Sequence, residues 1–353
     1  MEILQSTLTN MDEKYRVGRH THLAETVVVV DGLPGCGKTM MSPIVSGFPR
    51  VELVQYSYQL EYVCSLRYLK KIDSDVATTL IRLFTDQQLY NVMMSRETNF
   101  RWDDISGVRF NPNRWKYIRR LFQPGDADVI GRIEKERPIL HLVTHLMLCA
   151  SSSLFAALGE RLRFVEVVRH PLYMLKQQFK IMDRMGTDAR DFNVWREYDN
   201  QMLPWWISGW EDKFLASNPM DRAIYMNEQM QRQHQLLAAT LSESQRNQLL
   251  IIPFERFVTD PWPYMAKLEK LLGTTINSIT RRALKSQNVP RKMYAEGIAL
   301  PIYKEYGWEP PKKGSDEEKE FERRRQFAAE SATPAAMEVL DRLCYQYEQE
   351  YLL

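Results

Sequence analysis

Short, mostly apolar runs recur along the chain, and segments with apolar residues at helical spacing separate them. Each run ends at a polar or turn-forming residue, and the runs comprise residues 26–30, 139–143, 164–168 and 249–252. Runs of this length are typical of strands buried on both faces of a parallel sheet. Helical spacing is clearest over residues 53–71 and 74–94. The alternation predicts a three-layer α/β/α fold around a central parallel sheet with right-handed crossovers.

The end of the chain has a different pattern. A breaker cluster at residues 310–314 precedes a highly charged stretch at 315–325. Beyond it, residues 334–353 place one apolar stripe on a helix, formed by Met337, Leu340, Cys344, Tyr347 and Tyr351. The stripe predicts a helix that packs on the body of the protein, with a partner-binding helix as the alternative. The predicted organisation is an N-terminal extension over 1–24, one α/β domain over 25–309 and a helical tail over 310–353.

Composition narrows the class of protein. The 353 residues include 47 basic and 45 acidic side chains, so the formal charge is +2. With 14 Phe, 17 Tyr and 8 Trp, the chain has too much apolar surface to bury for general disorder. The near-neutral balance lacks the electrostatic footprint of a nucleic-acid-coating protein. We expect a globular protein with no nucleic-acid partner.

The cysteines and the chain's start bear on location. The four cysteines are far apart and form no C-x-x-C pair, which favours reduced thiols over a zinc site or a disulfide framework. No stretch approaches the roughly 18 apolar residues of a membrane span. Residues 1–25 are polar and charged and contain no signal-peptide run. These features predict a soluble, cytoplasmic protein.

One sequence motif predicts anion binding. Residues 32–39, GLPGCGKT, satisfy G-x-x-x-x-G-K-[ST] between a predicted buried strand and a predicted helix that begins near Lys38. Glycines let the backbone turn its N–H groups toward phosphate oxygens, and the helix N-terminus and Lys38 add positive charge. The alternative is an ordinary glycine turn with a surface lysine.

The same motif does not define the reaction. In a nucleotide hydrolase or kinase, Thr39 would hold Mg²⁺ with help from an aspartate at the end of another strand. Here the strand at 164–168 ends in Arg169 and His170, while Asp31 ends the loop's own strand. This arrangement favours a second phosphate held by arginine over metal-dependent phosphoryl transfer.

The order of the segments resembles that of the sulfotransferases that use 3′-phosphoadenosine 5′-phosphosulfate (PAPS) as sulfuryl donor. The resemblance spans roughly residues 26–295. In chain order it is carried by the phosphate loop at 32–41, the Thr144-His145 pair, the Arg169-His170-Pro171 strand end, the stretch at 252–261 and the Arg291-Lys292 pair.

The resemblance implies a PAPS-binding site without a metal. The residues that it assigns to the donor are Pro34, Gly35, Cys36, Gly37, Lys38, Thr39, Met40, Arg169, Gln177, Arg291 and Lys292. The loop would hold the 5′-phosphosulfate, and Arg169 and Gln177 would hold the 3′-phosphate with Arg291 and Lys292. Gln177 stands where the family usually has a serine, Lys38 where it often has a threonine, and Met293 where it has a glycine.

Sulfuryl transfer needs a cation at the leaving oxygen and a base for the acceptor proton. Lys38 suits the first task. The resemblance implies His145 as the base, and Glu61 is the alternative because other branches of the family use a glutamate about twenty residues after the loop. The alternative for His145 is a structural histidine at a strand end, and the alternative for Glu61 is an exposed helix carboxylate.

The acceptor is the least specified part. The loop at 96–104 mixes cations, carboxylates and aromatics, and its candidate acceptor-binding residues are Arg96, Asn99, Arg101 and Trp102. They suggest a hydroxyl or amine of a polar small molecule, natural product or glycan. Two other function classes stay open, an ATP- and Mg²⁺-dependent P-loop kinase and a non-catalytic nucleotide-binding protein.

Overall fold

A central five-stranded sheet organises the protein, and the computed structural model describes residues 15–353. All neighbouring strands of this sheet are parallel, in the order β2-β3-β1-β4-β7. Its strands are β1 (Thr26–Asp31), β2 (Gln55–Tyr56), β3 (Ile139–Val143), β4 (Leu162–Val168) and β7 (Leu249–Pro253). A separate antiparallel hairpin consists of β5 (Trp195–Tyr198) and β6 (Gln201–Pro204).

Helices connect the strands and cover both faces of the sheet. In chain order they are α1 (Lys38–Val45), α2 (Tyr58–Tyr68), α3 (Ser74–Met93), α4 (Arg114–Arg120), α5 (Asp126–Glu136), α6 (Ser152–Leu158), α7 (Pro171–Asp183), α8 (Glu211–Leu215), α9 (Pro219–Thr240), α10 (Glu243–Gln248), α11 (Phe254–Thr259), α12 (Trp262–Leu272), α13 (Ser278–Ser286), α14 (Pro301–Glu305), α15 (Glu317–Ala329) and α16 (Pro334–Tyr347). None of these helices combines the length and apolar character needed to cross a membrane.

Strand β1 shows why the fold has three layers. Its valines are fully buried, and because side chains alternate along a strand, Val27 and Val29 join one hydrophobic core while Val28 and Val30 join another. The first core includes residues of α3, α7 and α9, and the second includes residues of α1 and α12. The predicted α/β/α class is confirmed.

The strand order creates a crevice at the carboxyl edge of the sheet. From β1 the chain continues to β2 and β3 on one side, whereas β4 pairs with β1 on the other side. In open parallel sheets, ligands bind where the connections diverge in this way. The segments that follow β3, β1 and β4 therefore emerge side by side at one edge.

The C-terminal segment packs on the body. Helix α16 contacts α7 and α9. Within it Leu340, Cys344 and Tyr347 are buried, and Met337 is partly buried against the first core. The helical tail predicted from the apolar stripe is confirmed. The N-terminal extension predicted over 1–24 lies mostly outside the described residues.

Burial of His141 in β3 predicts sensitivity to acid. Its side chain is fully buried with Nδ1 2.9 Å from the Ser46 hydroxyl, and burial lowers its pKa to about 3. Because the unfolded chain takes up a proton near pH 6.5 and the folded chain does so only at much lower pH, stability falls as pH drops through this interval. We expect His141→Leu to reduce the loss of unfolding free energy between pH 7 and pH 5 by about 2 kcal/mol. Urea unfolding at both pH values measures this, and equal losses in the two proteins would contradict it.

Candidate active site

A cavity of about 650 Å³ lies at the carboxyl edge of the sheet. Its walls come from the loop after β1, the residues just beyond β2, β3 and β4, the start of α11 after β7, and segments near the C-terminus. Its charged lining includes five basic side chains (Lys38, Arg169, Lys176, Arg291 and Arg324) and two acidic ones (Asp104 and Glu296). The difference, five minus two, leaves three excess positive charges, which suits a polyanionic ligand.

The loop after β1 folds as the motif predicts. Helix α1 begins at Lys38 without a side-chain cap from the described residues, and the Met40 N–H donates to the Gly37 carbonyl. The N–H groups of Lys38 and Thr39, two residues that line the cavity, are therefore the ones left without an intrahelical partner. Gly37 has a φ of 102°, a left-handed conformation that glycine adopts at little cost. The Lys38 side chain is buried, and its Nζ donates a 2.6 Å hydrogen bond to the carbonyl of Gly32. An ammonium has three donors, so two of them are left for an anion.

Arg169, directly after β4, connects the two neighbouring loops. Its Nη1 donates a 2.8 Å hydrogen bond to the carbonyl of Gly35. The guanidinium lies 4.0 Å from the centroid of the Phe254 ring. Its Nε lies 3.8 Å from Glu255, too far for a hydrogen bond, and is buried without a partner in the described part of the chain. Arg169 therefore has both charge and donor capacity available at the loop.

Glu255 supports Arg169 from behind. Its Oε1 accepts a 3.2 Å hydrogen bond from the backbone N–H of His170, and its Oε2 accepts one of 2.6 Å from the hydroxyl of Tyr347. Burial raises the pKa of Glu255, and Arg169 opposes that shift. The strand end, the start of α11 and the C-terminal helix thus meet at one buried carboxylate.

The two candidate bases lie in direct contact. His145 Nδ1 is 2.9 Å from Glu61 Oε1. His145 lines the cavity, and its ring stacks against Tyr56 and Tyr58, with centroids 6.1 Å away in each case. A carboxylate at Nδ1 favours the tautomer with the proton on that nitrogen and leaves the lone pair on Nε2. Histidine and glutamate, which the sequence offered as alternatives, form one pair.

Several other residues that the sequence singles out also lie at the cavity. The lining includes Pro34, Gly35, Gly37, Thr39, Met40, Gln177 and Arg291. Cys36 belongs to the same loop, but its side chain is buried in the second core and does not line the cavity. Burial raises the pKa of its thiol to about 11. The phosphate loop, the β4 arginine and His145 are therefore neighbours, as the resemblance implies.

Seven of the predicted residues do not line the cavity: Glu61 and Cys36, described above, and the five that follow. Lys292 is exposed and lies outside the lining. Arg96 pairs with Asp126, and Asn99 donates to the Ser106 hydroxyl at 2.8 Å. Arg101 and Trp102 are exposed, the latter by 71%. The same loop does reach the cavity, but through Asp104, Ile105 and Ser106.

Sequence reasoning missed three contributors. Phe254 carries Arg169 on its ring at 4.0 Å and Arg291 at 5.0 Å. Gln178, next to the predicted Gln177, donates to the carbonyl of Pro34 at 3.1 Å. Arg324 enters the cavity from the tail. The stretch at 252–261, which carries part of the family resemblance, could have indicated Phe254. Nothing in the charged stretch at 315–325 distinguishes Arg324 from its neighbours.

The chain is similar to solved sulfotransferase structures. The sulfotransferase domain from the Synechococcus PCC 7002 olefin synthase aligns at 13% identity and a TM-score of 0.43, covering 94% of this chain and 98% of that one. The sulfotransferase domain from the curacin biosynthetic pathway aligns at 11% identity and 0.40, covering 89% and 100%. Sulfotransferase STF1 from Mycobacterium tuberculosis aligns at 13% and 0.37, covering 80% and 76%.

Comparisons by sequence gave no relatives. No family model matches the chain, and no curated protein does. All the structural matches above have identities below 15% and TM-scores below 0.5. At such low identities and TM-scores, the activity has to be inferred from the residues of the site.

Gly37 provides a test of the loop geometry. A Cβ at this position would overlap the ring of Phe254, and φ is positive there. We expect Gly37→Ala to weaken binding of 3′-phosphoadenosine 5′-phosphate (PAP), the ligand that the family resemblance implies, about 5–150-fold, because roughly 1–3 kcal/mol of backbone strain is relieved only by moving the loop or Phe254. Isothermal titration calorimetry measures this.

Gly131 offers a matched control. It lies in α5 with nothing within 4 Å of an added Cβ, so Gly131→Ala should leave PAP binding unchanged. It should also stabilise the protein by up to about 1 kcal/mol. Unchanged PAP binding by Gly37→Ala would mean that the loop does not contact the ligand.

Proposed function

We propose that the protein is a PAPS-dependent sulfotransferase that moves a sulfuryl group to a hydroxyl, or an amine, of a small molecule or glycan. The observation that carries the proposal is the order of groups along the sheet edge. His145 follows β3, Lys38 follows β1 and Arg169 follows β4, and these three strands are direct neighbours. The proposed base, leaving-group cation and second anion site thus lie in the same spatial order as the acceptor, the sulfuryl group and the 3′-phosphate that they would bind.

The side chains present fit the donor. PAPS has anionic groups at two separated positions, and the cavity has two groups of cations. Lys38 and the first N–H groups of α1 form one, and Arg169 with Arg291 forms the other. Within residues 15–353 the Nε atoms of both arginines are buried without a partner, and charge-assisted hydrogen bonds from the guanidinium groups to an anionic oxygen would offset the cost of this burial.

Each residue has a separate task in transfer. The donor supplies a sulfuryl group whose S–O bond to the phosphate breaks as a bond forms to the acceptor oxygen. Lys38 and the α1 amides would stabilise the charge that develops on the oxygen left on phosphate. His145 would accept the acceptor's proton at Nε2, and Glu61 would hold the ring and stabilise the imidazolium that results.

The acceptor side of the cavity has mixed character. Beside His145 the lining includes the rings of Tyr56 and Tyr58 together with Ile105, Asp104 and Ser106. Hydrogen bonds from Ser106, through both its N–H and its hydroxyl, contribute to lowering the pKa of Asp104 although burial opposes this. These groups support a hydroxylated acceptor with an apolar or aromatic frame. Support for a polar acceptor thus comes from Asp104 and Ser106 and not from Arg96, Asn99, Arg101 or Trp102.

Ligand selectivity tests the donor. We expect PAP to raise the melting temperature and to bind about 10–100-fold more tightly than adenosine 5′-phosphate, because the extra phosphate makes charge-assisted hydrogen bonds with Arg169 and Arg291. Differential scanning fluorimetry and calorimetry give both quantities. Labelled PAPS with a panel of phenols, alcohols, amines and glycans then tests transfer. Stabilisation by ATP with Mg²⁺ but not by PAP would favour the kinase alternative.

Substitutions of the histidine–glutamate pair test the base. We expect His145→Gln to lower kcat by about 10²–10⁴-fold with little change in PAP affinity, because proton transfer is lost while the donor contacts remain. Glu61→Gln should lower kcat less, since the base is present but poorly oriented. Steady-state kinetics with the best acceptor of the panel measure both. If His145→Gln kept full kcat, His145 would not be the base.

A further inference from the structure

The C-terminal tail contributes an arginine to the cavity. Arg324 lies in α15 and lines the cavity together with Arg169 and Arg291. Its guanidinium is 4.2 Å from the centroid of the Tyr173 ring, and the Arg169 guanidinium is 5.2 Å from the same centroid. Tyr173 itself is buried, and its hydroxyl donates a 2.7 Å hydrogen bond to Glu317 in the first turn of α15. The tail is therefore fixed at the second anion site.

The three arginines form a cluster that lacks enough acceptors. Among the residues that the structure describes, the Nε atoms of Arg169, Arg291 and Arg324 are all buried without a hydrogen-bond partner. Burial lowers the pKa of Arg291 and of Arg324, and the charge of Arg169 lowers both further. Such like-charge crowding is unfavourable unless an anion compensates it.

The acidic groups nearby do not neutralise Arg324. Its Nη2 is 3.5 Å from Glu320, but Arg323 occupies the same Glu320 oxygen at 2.6 Å. Glu317 is engaged by Tyr173 and by the backbone N–H of Tyr294. Arg324 is thus held in position by Tyr173 and Glu320 while much of its donor capacity remains.

We infer that Arg324 binds the 3′-phosphate of the donor as the third arginine of that site. The inference rests on the proposed function. A ribose 3′-phosphate is a monoester with three terminal oxygens and close to two negative charges. Three guanidinium groups offer more than enough positive charge to balance it and free donors for all three terminal oxygens, whereas one arginine would leave oxygens without partners. The tail would accordingly be part of donor selection.

A comparison of two nucleotides isolates this contact. PAP and adenosine 5′-phosphate differ only in the 3′-phosphate, so the ratio of their dissociation constants reports that group. We expect Arg324→Gln to weaken PAP about 10–100-fold and adenosine 5′-phosphate less than about 3-fold, so that the ratio collapses. Arg324→Lys keeps the charge but loses the planar fork, and an intermediate ratio is expected.

Arg325 provides the matched control. It is the next residue of α15, is half-exposed, and pairs with Asp341 through two hydrogen bonds of 2.8 and 2.7 Å. Arg325→Gln removes one positive charge, as Arg324→Gln does, and should leave the ratio of the two dissociation constants as in the wild type. Calorimetry at one fixed ionic strength gives all dissociation constants, and melting curves verify that each variant folds.

The outcomes separate the inference from the proposed function. A wild-type protein that binds PAP no better than adenosine 5′-phosphate would contradict the proposed donor. A wild-type preference that persists in Arg324→Gln would overturn the role of Arg324 alone. Equal weakening of both nucleotides would also overturn it, because the effect would then not depend on the 3′-phosphate. If Arg324→Gln fails to fold, the ratio measured for Arg324→Lys decides, and a ratio equal to that of the wild type counts against the inference.

Discussion

A single hydrogen bond, from Arg169 Nη1 to the carbonyl of Gly35, joins the two loops on which the site depends. It forms because β1 and β4 are parallel neighbours, so that both loops leave the sheet at the same edge and about one strand spacing (~4.8 Å) apart. Without this pairing the loop after β1 and Arg169 would not line the same cavity. With it, one cavity can accommodate a ligand that is anionic at two positions.

Burying a guanidinium beside this hydrogen bond has an electrostatic cost, and the surrounding structure offsets part of it. Only 13% of the Arg169 side chain is exposed. Glu255 supplies the nearest negative charge, and Tyr347 and the His170 N–H hold that carboxylate by hydrogen bonds. Because a buried carboxylate without partners would be unstable, the hydrogen bond from Tyr347 of the C-terminal helix helps to hold the carboxylate that lies beside Arg169. Two residues of the C-terminal tail therefore contribute to the site. Tyr347 donates a hydrogen bond to Glu255, and Arg324 lines the cavity.

The sequence predicts the features of the fold that depend on the local pattern of neighbouring residues. The buried strands, the start of α1 at Lys38 and the C-terminal helix follow from apolar periodicity and from a glycine-rich turn, which are properties of neighbouring residues. Strand β2 has only two residues, so it leaves no pattern to read. Arg324 could not be found because it stands within Arg323–Arg325, where composition suggests a solvated surface and only tertiary packing selects one member. The choice within the loop at 96–104 is limited for the same reason, since Asp104 lines the cavity, as does Ser106 just beyond it, whereas Arg101 and Trp102 do not.

The sequence indicates His145 and Glu61 only weakly, and the structure brings them into contact. Glu61 lies on α2 after β2, and His145 follows β3, the strand that pairs with β2. Neither position alone indicates a base, because a strand-end histidine and a helix glutamate are both common structural residues. Their contact changes this, since a carboxylate at Nδ1 gives the imidazole a fixed tautomer and a fixed orientation. Because Lys38 begins the helix after β1, which pairs with β3 on its other side, His145 and Lys38 both lie at the carboxyl edge of the sheet. An in-line transfer between two bound substrates would need its base and its leaving-group cation held in this way.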